Sequence, residues 1–484
     1  MAKNNNTADQ ATPSLGFEAM VPIWSKINHI LGGTNGMRLA GQKHLPRHAL
    51  EGLQDYRRRL LASVFTNYYR LTLDYLVGKP FSRQVEWAES TPGSIREFES
   101  DIDLQGNDIT QVFKSWFHNA MAKGFSHCMV DYPVSPSREM TGEQRDKLNL
   151  RPYLVLIQPE DFFAGREELI NGRMQYTHVR IMGYETVVEG YEESLSPYIQ
   201  EFNLVLDGNT RVVERKRWVP DSFNPKKWEL EGEILTMDID RIPIITFYTN
   251  KTGTLTGDLE LEDLADLNIK HWQSTSDQDN CLQVARFPIL AASGVPDDMV
   301  AKIGPRTILL SSDATAKYYY VEHTGAALEV GSKDIQSLEE KMAYYGAEML
   351  KARPDRETAT SRILDSSQTL APLQRIALNF QSAAQEVIKL MAEWMDEPTE
   401  GIGVEIYIDF GMTEREEVQL KTLETGRAAK DISHEQYISG LTELRVLPST
   451  FNATANSAQR LAETKELLKA LETPTPNQDN SNDA

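Results

Sequence analysis

The chain has 484 residues and a formal net charge of −21, from 71 acidic and 50 basic side chains. That length exceeds one ordinary core and implies about two to four sub-domains, and 40% hydrophobic with 25% charged residues describes a globular rather than a disordered protein. The acid excess argues against a protein that grips nucleic acid, which needs a basic stripe or domain; nucleic acid is either irrelevant or must pass without being held.

No stretch approaches the roughly 18 apolar residues of a membrane span, so neither a transmembrane helix nor a membrane partner is expected. The opening MAKNNNTADQATPSLG lacks the apolar core of a signal peptide, which places synthesis and folding in the cytoplasm. Residues 1–14 and 472–484 are polar and read as disordered tails. Leu50 to Val77 reads as one helix, with inward candidates Leu61, Val64, Phe65, Tyr68, Leu71, Thr72 and Tyr75, ended by Gly78 with Pro80 beyond. Its Arg57-Arg58-Arg59 run fans over most of the helix circumference, which favours inter-subunit or solvated pairing over a phosphate site. Ile109 to Lys123 is the cleanest amphipathic helix: Ile109, Val112, Phe113, Trp116, Phe117, Ala120 and Met121 keep i, i+3, i+4 spacing before Gly124.

Short apolar runs then read as strands: FSHCMVDY, PYLVLI, THVRIM, FNLVL and TRVVERKRWV. They predict an α+β domain with a mixed or antiparallel sheet. Lys216, Arg217, Lys226 and Lys227 interleave with Trp218 and Trp228, a pattern seen where single strands bind, but a hairpin with one solvated face explains it better. The strand Ile242–Tyr248 leads into the stretch Leu259–Arg286, which reads as one helix about 42 Å long. Its first half is apolar at Leu261, Leu264, Ala265, Leu267, Ile269 and Trp272; its middle, Gln273 to Asn280, has no large apolar residue, which is unusual for a core helix.

Phe287 to Val330 holds β-prone pieces between Gly and Pro and reads as a small module with a few strands. A second helix, Asp334–Ala352, carries Ile335, Leu338, Met342, Tyr345 and Met349 at seam spacing. Further helical sequence runs from Thr358 to Met395 with Pro372 inside, where a proline removes a backbone hydrogen bond and predicts a kink. A strand Val404–Phe410 and helices near 413–430, 433–444 and 455–471 follow.

No catalytic or nucleotide motif is present: no phosphate loop, no Gly-x-Gly-x-x-Gly, no His-Glu-x-x-His and no Gly-x-Ser-x-Gly. Hence no enzyme, cofactor or metal is expected. His44 and His48 flank Pro46 and read as surface loop histidines. Ser126, His127 and Cys128 alternate across a strand and cannot cooperate. Cys128 and Cys281 read as buried free thiols. Glu260, Glu262, Asp263 and Asp266 read as solvated acids at a helix start, where they favour its dipole.

The order of parts, with the stretches YRRRLLASVFTNYYRLTLDYLVGKPF, KGFSHCMVDYP, RPYLVLIQPEDF and LNIKHWQSTSDQDN, resembles the portal proteins of tailed bacteriophages and a portal-like family of unknown-function label. The resemblance runs from Ile23 to Leu471 and rests on order and extent, not on one motif. It implies a wing over 15–256, a first stem helix over 257–287, a clip over 288–330, a second stem helix over 331–350 and a tunnel loop over 351–359. The chain would then return to the wing through a kinked helix over 360–412 and end in a mostly helical crown over 413–471.

It further implies a homo-dodecamer at one capsid vertex of the virion, assembled in the host cytoplasm, through which double-stranded DNA enters and leaves. Partners would be the terminase large subunit, a head-completion (adaptor) protein, the major capsid protein and scaffold. An acidic stem, with Glu260, Glu262, Asp263, Asp266, Asp277 and Asp279, would repel phosphates within a Debye length of about 8 Å, and Arg353, Arg356 and Arg362 would touch the DNA backbone without reading sequence. Asp277 and Asp279 lie about 200° apart on a helix and should not both face the lumen. The competing expectation is a non-viral oligomeric structural or interaction protein built on a long-helix coiled coil.

Overall fold

The computed structural model describes residues 9–133, 149–208, 210–221, 223–224, 227–286, 289–293, 315, 317–321, 326–348, 371–408, 414–429, 431–433, 436–437 and 439–440. Contacts divide the chain into Met1–Ile408 and Asp409–Ala484. The fold is α+β, as expected.

The first unit opens with α1 (Leu15–Leu31) and α2 (Gly33–Ala40). Ser14 caps α1 by accepting from the Phe17 N–H at 3.3 Å. Met20, Trp24, Ile27 and Ile30 form its buried stripe, and Trp24 Nε1 donates to the Lys123 carbonyl at 3.0 Å. Residues 9–14, expected as part of a loose tail, are held: the Arg180 guanidinium donates to the carbonyls of Asp9, Gln10 and Thr12.

The single helix expected over 50–77 is two, α3 (Leu53–Ala62) and α4 (Tyr68–Gly78). Ser63 turns extended, with ψ 131°, and Asn67 starts the next helix by accepting from the Arg70 N–H at 2.9 Å. Bonding through a side chain at an N-cap competes with helix continuation. The break resets the helical phase, so Leu61, Val64, Leu71 and Tyr75 are exposed while Phe65, Tyr69, Leu73, Leu76 and Val77 are buried.

β1 (Glu86–Trp87) and α5 (Gly93–Arg96) lead to α6 (Ile109–Lys123). Asp108 caps α6, Gly124 ends it in the left-handed region at φ 88°, and all seven predicted apolar residues are buried. α6 packs on a three-stranded antiparallel sheet of β2 (Phe125–Asp131), β3 (Tyr153–Ile157) and a later strand, β10 (Ile244–Tyr248), in the order β10-β2-β3. The second sheet comprises β4 (Ala164–Ile170), β5 (Arg173–Glu189), β6 (Glu192–Asp207), β7 (Thr210–Pro220), β8 (Trp228–Leu230) and β9 (Leu235–Met237), all antiparallel. β11 (Lys251–Gly253) and β12 (Thr256–Gly257) make a small hairpin before the long helix.

α7 (Glu262–Ala285) is that helix. β13 (Ile289–Ser293) pairs antiparallel with β14 (Lys317–Val321), and α8 (Ala326–Glu348) follows, starting eight residues before the sequence reading placed it. α9 (Pro372–Trp394) carries Phe380 into the aromatic core, where its ring lies 5.0 Å from Trp116, 5.1 Å from Phe117 and 4.9 Å from Phe247. Such edge-to-face pairs add roughly 0.5–1.5 kcal/mol each beyond burial.

Pro372 does not kink a helix. It occupies the first position of α9, after Ala371 in extended geometry at ψ 150°, where its missing N–H costs nothing. β15 (Val404–Glu405) pairs with β1 and is shorter than the strand read over 404–410. The second unit contains α10 (Glu414–Ala429), close to the predicted helix over 413–430.

Candidate functional site

Several polar side chains of α7, in its first half and its middle, are bonded to the rest of the chain. Asn268 is fully buried: its Oδ1 accepts from the Tyr69 N–H at 3.0 Å, and its Nδ2 donates to the Thr66 carbonyl at 2.9 Å. Gln273 Nε2 donates to the His44 carbonyl at 2.8 Å. Ser276, also buried, accepts from the Ser63 hydroxyl at 2.8 Å and from Arg59 Nη1 at 3.4 Å. A buried polar group must find partners. The α3–α4 break supplies them, since Ser63 and Thr66 lie within it.

Arg59 organises this junction. Its guanidinium is buried against Glu51 at 2.7 Å (Nε–Oε1) and 2.8 Å (Nη2–Oε2), with a further bond to the Pro46 carbonyl at 2.9 Å. Asp277 lies 3.6 Å away and also meets His48 at 3.3 Å. The Arg59 contact holds the Glu51 carboxyl below its usual range, and Glu51 in turn raises Arg59. Of the three consecutive arginines, Arg59 is therefore an internal ion pair, while Arg57 and Arg58 are exposed.

The six acids expected along the stem do not form one set. Glu262 and Asp266, one turn apart, both bind Lys26 of α1, at 3.1 and 2.8 Å. Burial opposes charge on Lys26, but the two carboxylates win and raise its pKa. Asp263 points to the Tyr345 hydroxyl of α8 at 3.5 Å. Glu260 precedes the helix and is pushed up by burial. Asp277 reaches Arg59 at 3.6 Å from an exposed position, and Asp279 is exposed as well. Arg353, Arg356 and Arg362 lie outside the described residues.

α7 and α8 pack along their lengths. Trp272, Leu338 and Met342 are buried, His271 Nε2 lies 3.2 Å from Glu339, and Gln278 Nε2 donates to the Leu328 carbonyl at 2.8 Å. Beyond that bond the outer part of α7 is wet: Asp279, Asn280, Cys281, Gln283 and Arg286 are exposed. Cys281 is therefore not the buried thiol expected, whereas Cys128 is.

Two further expectations are corrected. His44 is buried, not a surface histidine; its Nε2 lies 3.2 Å from His29 Nδ1, and burial with the nearby His29, Lys43 and Lys26 lowers its pKa to about 4. His48 is exposed as expected. Basic and aromatic residues of β7 are engaged within the chain: Arg217 binds Glu185 and Glu231 and covers the Tyr198 ring at 4.0 Å, Trp218 Nε1 donates to Glu201 at 2.8 Å, and Arg215 reaches Asp131 of β2 at 3.1 Å. Among the described residues no cluster of three or more His, Cys, Asp or Glu could hold a metal, and no helix is long and apolar enough to cross a membrane.

Residues 260–395, from the start of α7 to the end of α9, match the family model described as Domain of unknown function (DUF4055). No curated protein matches the chain. Among solved structures, the chain is similar to "Neck of empty GTA particle computed with C6 symmetry", with a TM-score of 0.41 and 10% identity over 78% of this chain and 90% of that one. It is similar to "Virion of native gene transfer agent (GTA) particle" with a TM-score of 0.40 and 10% identity over 83% and 98%. A third, "Neck of native GTA particle computed with C12 symmetry", gives 0.39 and 9% identity over 78% and 89%.

Sequence reasoning missed α1, α2, the α3–α4 break and the Arg59 junction. The signal for the break lies in Ser63-Val64-Phe65-Thr66-Asn67: β-branched Val64 and Thr66 flanking an aromatic residue, followed by a strong cap residue.

Proposed function

We propose that this chain is a portal-type subunit of a phage-like virion. Twelve copies form a ring at one capsid vertex, and double-stranded DNA passes through its centre during packaging and ejection. One observation carries the reading: α7 is anchored in the core by its first half and runs outward with an exposed polar surface, a strand pair follows it, and α8 returns along it. A helix out, a strand pair and a helix back support reading these elements as a stem and clip. Its role is structural, with terminase large subunit, a head-completion protein, major capsid protein and scaffold as partners.

The electrostatics fit passage without capture. Each copy adds a net charge of −21, and close approach to phosphates is opposed within about a Debye length, roughly 8 Å at physiological salt. Arg353, Arg356 and Arg362 remain the candidate backbone contacts. Replacing all three with alanine should lower genome retention, and packaging and retention equal to wild type would remove them from the mechanism.

The coiled-coil alternative is weakened by the packing. Of the seam on the second helix, Leu338 and Met342 are buried inside this chain, together with Leu264 and Trp272 of α7. Negative-stain images of the purified protein separate the readings: rings with a central hole support the portal reading, and a population of rod-like dimers refutes it.

A further inference from the structure

The β5–β6 hairpin outruns its sheet. The two strands stay in register from His178↔Asn203 to Glu189↔Glu192, yet β4 reaches only Arg180 of β5 and β7 reaches only Ile199 of β6. Residues 183–198 are thus a two-stranded ribbon. A ribbon of this kind is marginal in water without a covering surface. Because strand side chains alternate between faces, Tyr184, Thr186 and Val188 share one face with Leu195 and Pro197. Tyr184, Val188 and Leu195 are 59%, 61% and 69% exposed. Their stripe prolongs an apolar cluster in which Met182, Ile199 and Trp218 pack together. At the tip stand Glu193, on the face of this stripe, and Glu189 and Glu192, a pair on the other face, all exposed.

A second surface has the opposite charge. On α3, Leu53, Arg57 and Leu61 follow one another at i, i+4 and i+8, and Leu50 and Val64 lie just outside its two ends. Every one of them is exposed, Leu61 by 66% and Val64 by 62%, while Tyr56 and Arg59 on the other side of α3 are buried. Arg57 and Arg58 rise from this stripe, and Arg58 lies 3.6 Å from the exposed Asp55. In a chain of net charge −21, an apolar stripe carrying cations is complementary to an apolar ribbon tipped with carboxylates.

We propose that the ribbon of one copy docks on the α3 stripe of the next, with Glu189, Glu192 and Glu193 facing Arg57 and Arg58. The inference rests on the ring reading and gives that ring its contact. Two different patches on one chain make a head-to-tail interface, which closes into a ring when the rotation permits. The anchor is apolar, and the charges set direction and partner.

The test reverses each charged set in the full chain. One variant carries Glu189→Lys, Glu192→Lys and Glu193→Lys; the other carries Arg57→Glu and Arg58→Glu. Circular dichroism checks that both keep wild-type secondary structure, and sedimentation velocity reads assembly. Each variant alone should need a roughly tenfold or greater concentration to assemble. An equal mixture should recover closed assemblies, because every ribbon then finds a stripe of opposite charge, and so should the variant with all five changes. Wild-type rings together with unaltered assembly of both variants would overturn the interface and leave the ring reading intact. A wild type that forms no closed assembly at any concentration would overturn the ring reading itself.

Discussion

Gln278 of α7 donates through Nε2 to the Leu328 carbonyl of α8 at 2.8 Å, and Gly331 lies directly against its amide. A Cβ at Gly331 would stand 2.2 Å from Gln278 Oε1, so the helices meet here across a single hydrogen. Gly331→Ala must displace the Gln278 side chain and lose about 1 kcal/mol of hydrogen bonding, but it gains a similar amount of helix propensity. Little net change is expected. Gly331→Leu has no such compensation and should cost about 1–3 kcal/mol through overpacking. Denaturant unfolding of the two variants checks the contrast, and equal stability would show that the helices do not approach this closely.

Arg59 joins α3 to α7 from a buried position, paired with Glu51 and bonded to Ser276. Removing one partner of a buried pair leaves the other uncompensated, at a cost of about 3–5 kcal/mol. Arg59→Ala should therefore destabilise strongly, whereas Arg57→Ala, exposed two residues earlier, should stay within about 0.5 kcal/mol. Chemical unfolding curves of both proteins measure the difference.

Acid should weaken the fold through His44. In the folded chain this ring titrates near 4, against an ordinary value of 6.5, because it is buried beside His29, Lys43 and Lys26. Between those values the unfolded chain binds more protons, so stability falls as pH drops from about 6.5 towards 4. The loss should be on the order of 2 kcal/mol. His44→Asn should flatten that part of the profile in melts at pH 7, 5.5 and 4.5. An unchanged slope would mean that His44 is already charged in the native state.

Pro372 at the first position of α9 carries its own forecast. The N–H that alanine restores there has no helical partner to find, so Pro372→Ala should change stability by less than about 1 kcal/mol. A proline in mid-helix would behave otherwise, since its replacement recovers roughly 3 kcal/mol. Thermal denaturation distinguishes the two.

The parts of this fold legible in the sequence are those where one period decides the outcome. The stripe of α6 from Ile109 to Met121 is wholly buried, and the first half of α7 announces its core through Leu261, Leu264 and Trp272. What eluded the sequence depends on partners distant in the chain. Polar positions of α7 are filled by distant partners: Asn268, Gln273 and Ser276 bond to Thr66, His44 and Ser63, some 200 residues earlier. Likewise, the acids of its first turn read as solvated until Lys26 is seen between Glu262 and Asp266. Periodicity reports burial against bulk apolar surface and carries no information about such specific polar neighbours.

In the proposed ring, α7 and α8 line the central hole. A single-particle reconstruction of the purified assembly tests it most directly. The account predicts a closed ring with the α7–α8 pairs around the central channel and Asp279 on its exposed side. A ring whose helix pairs stand at the periphery, away from the channel, would contradict it.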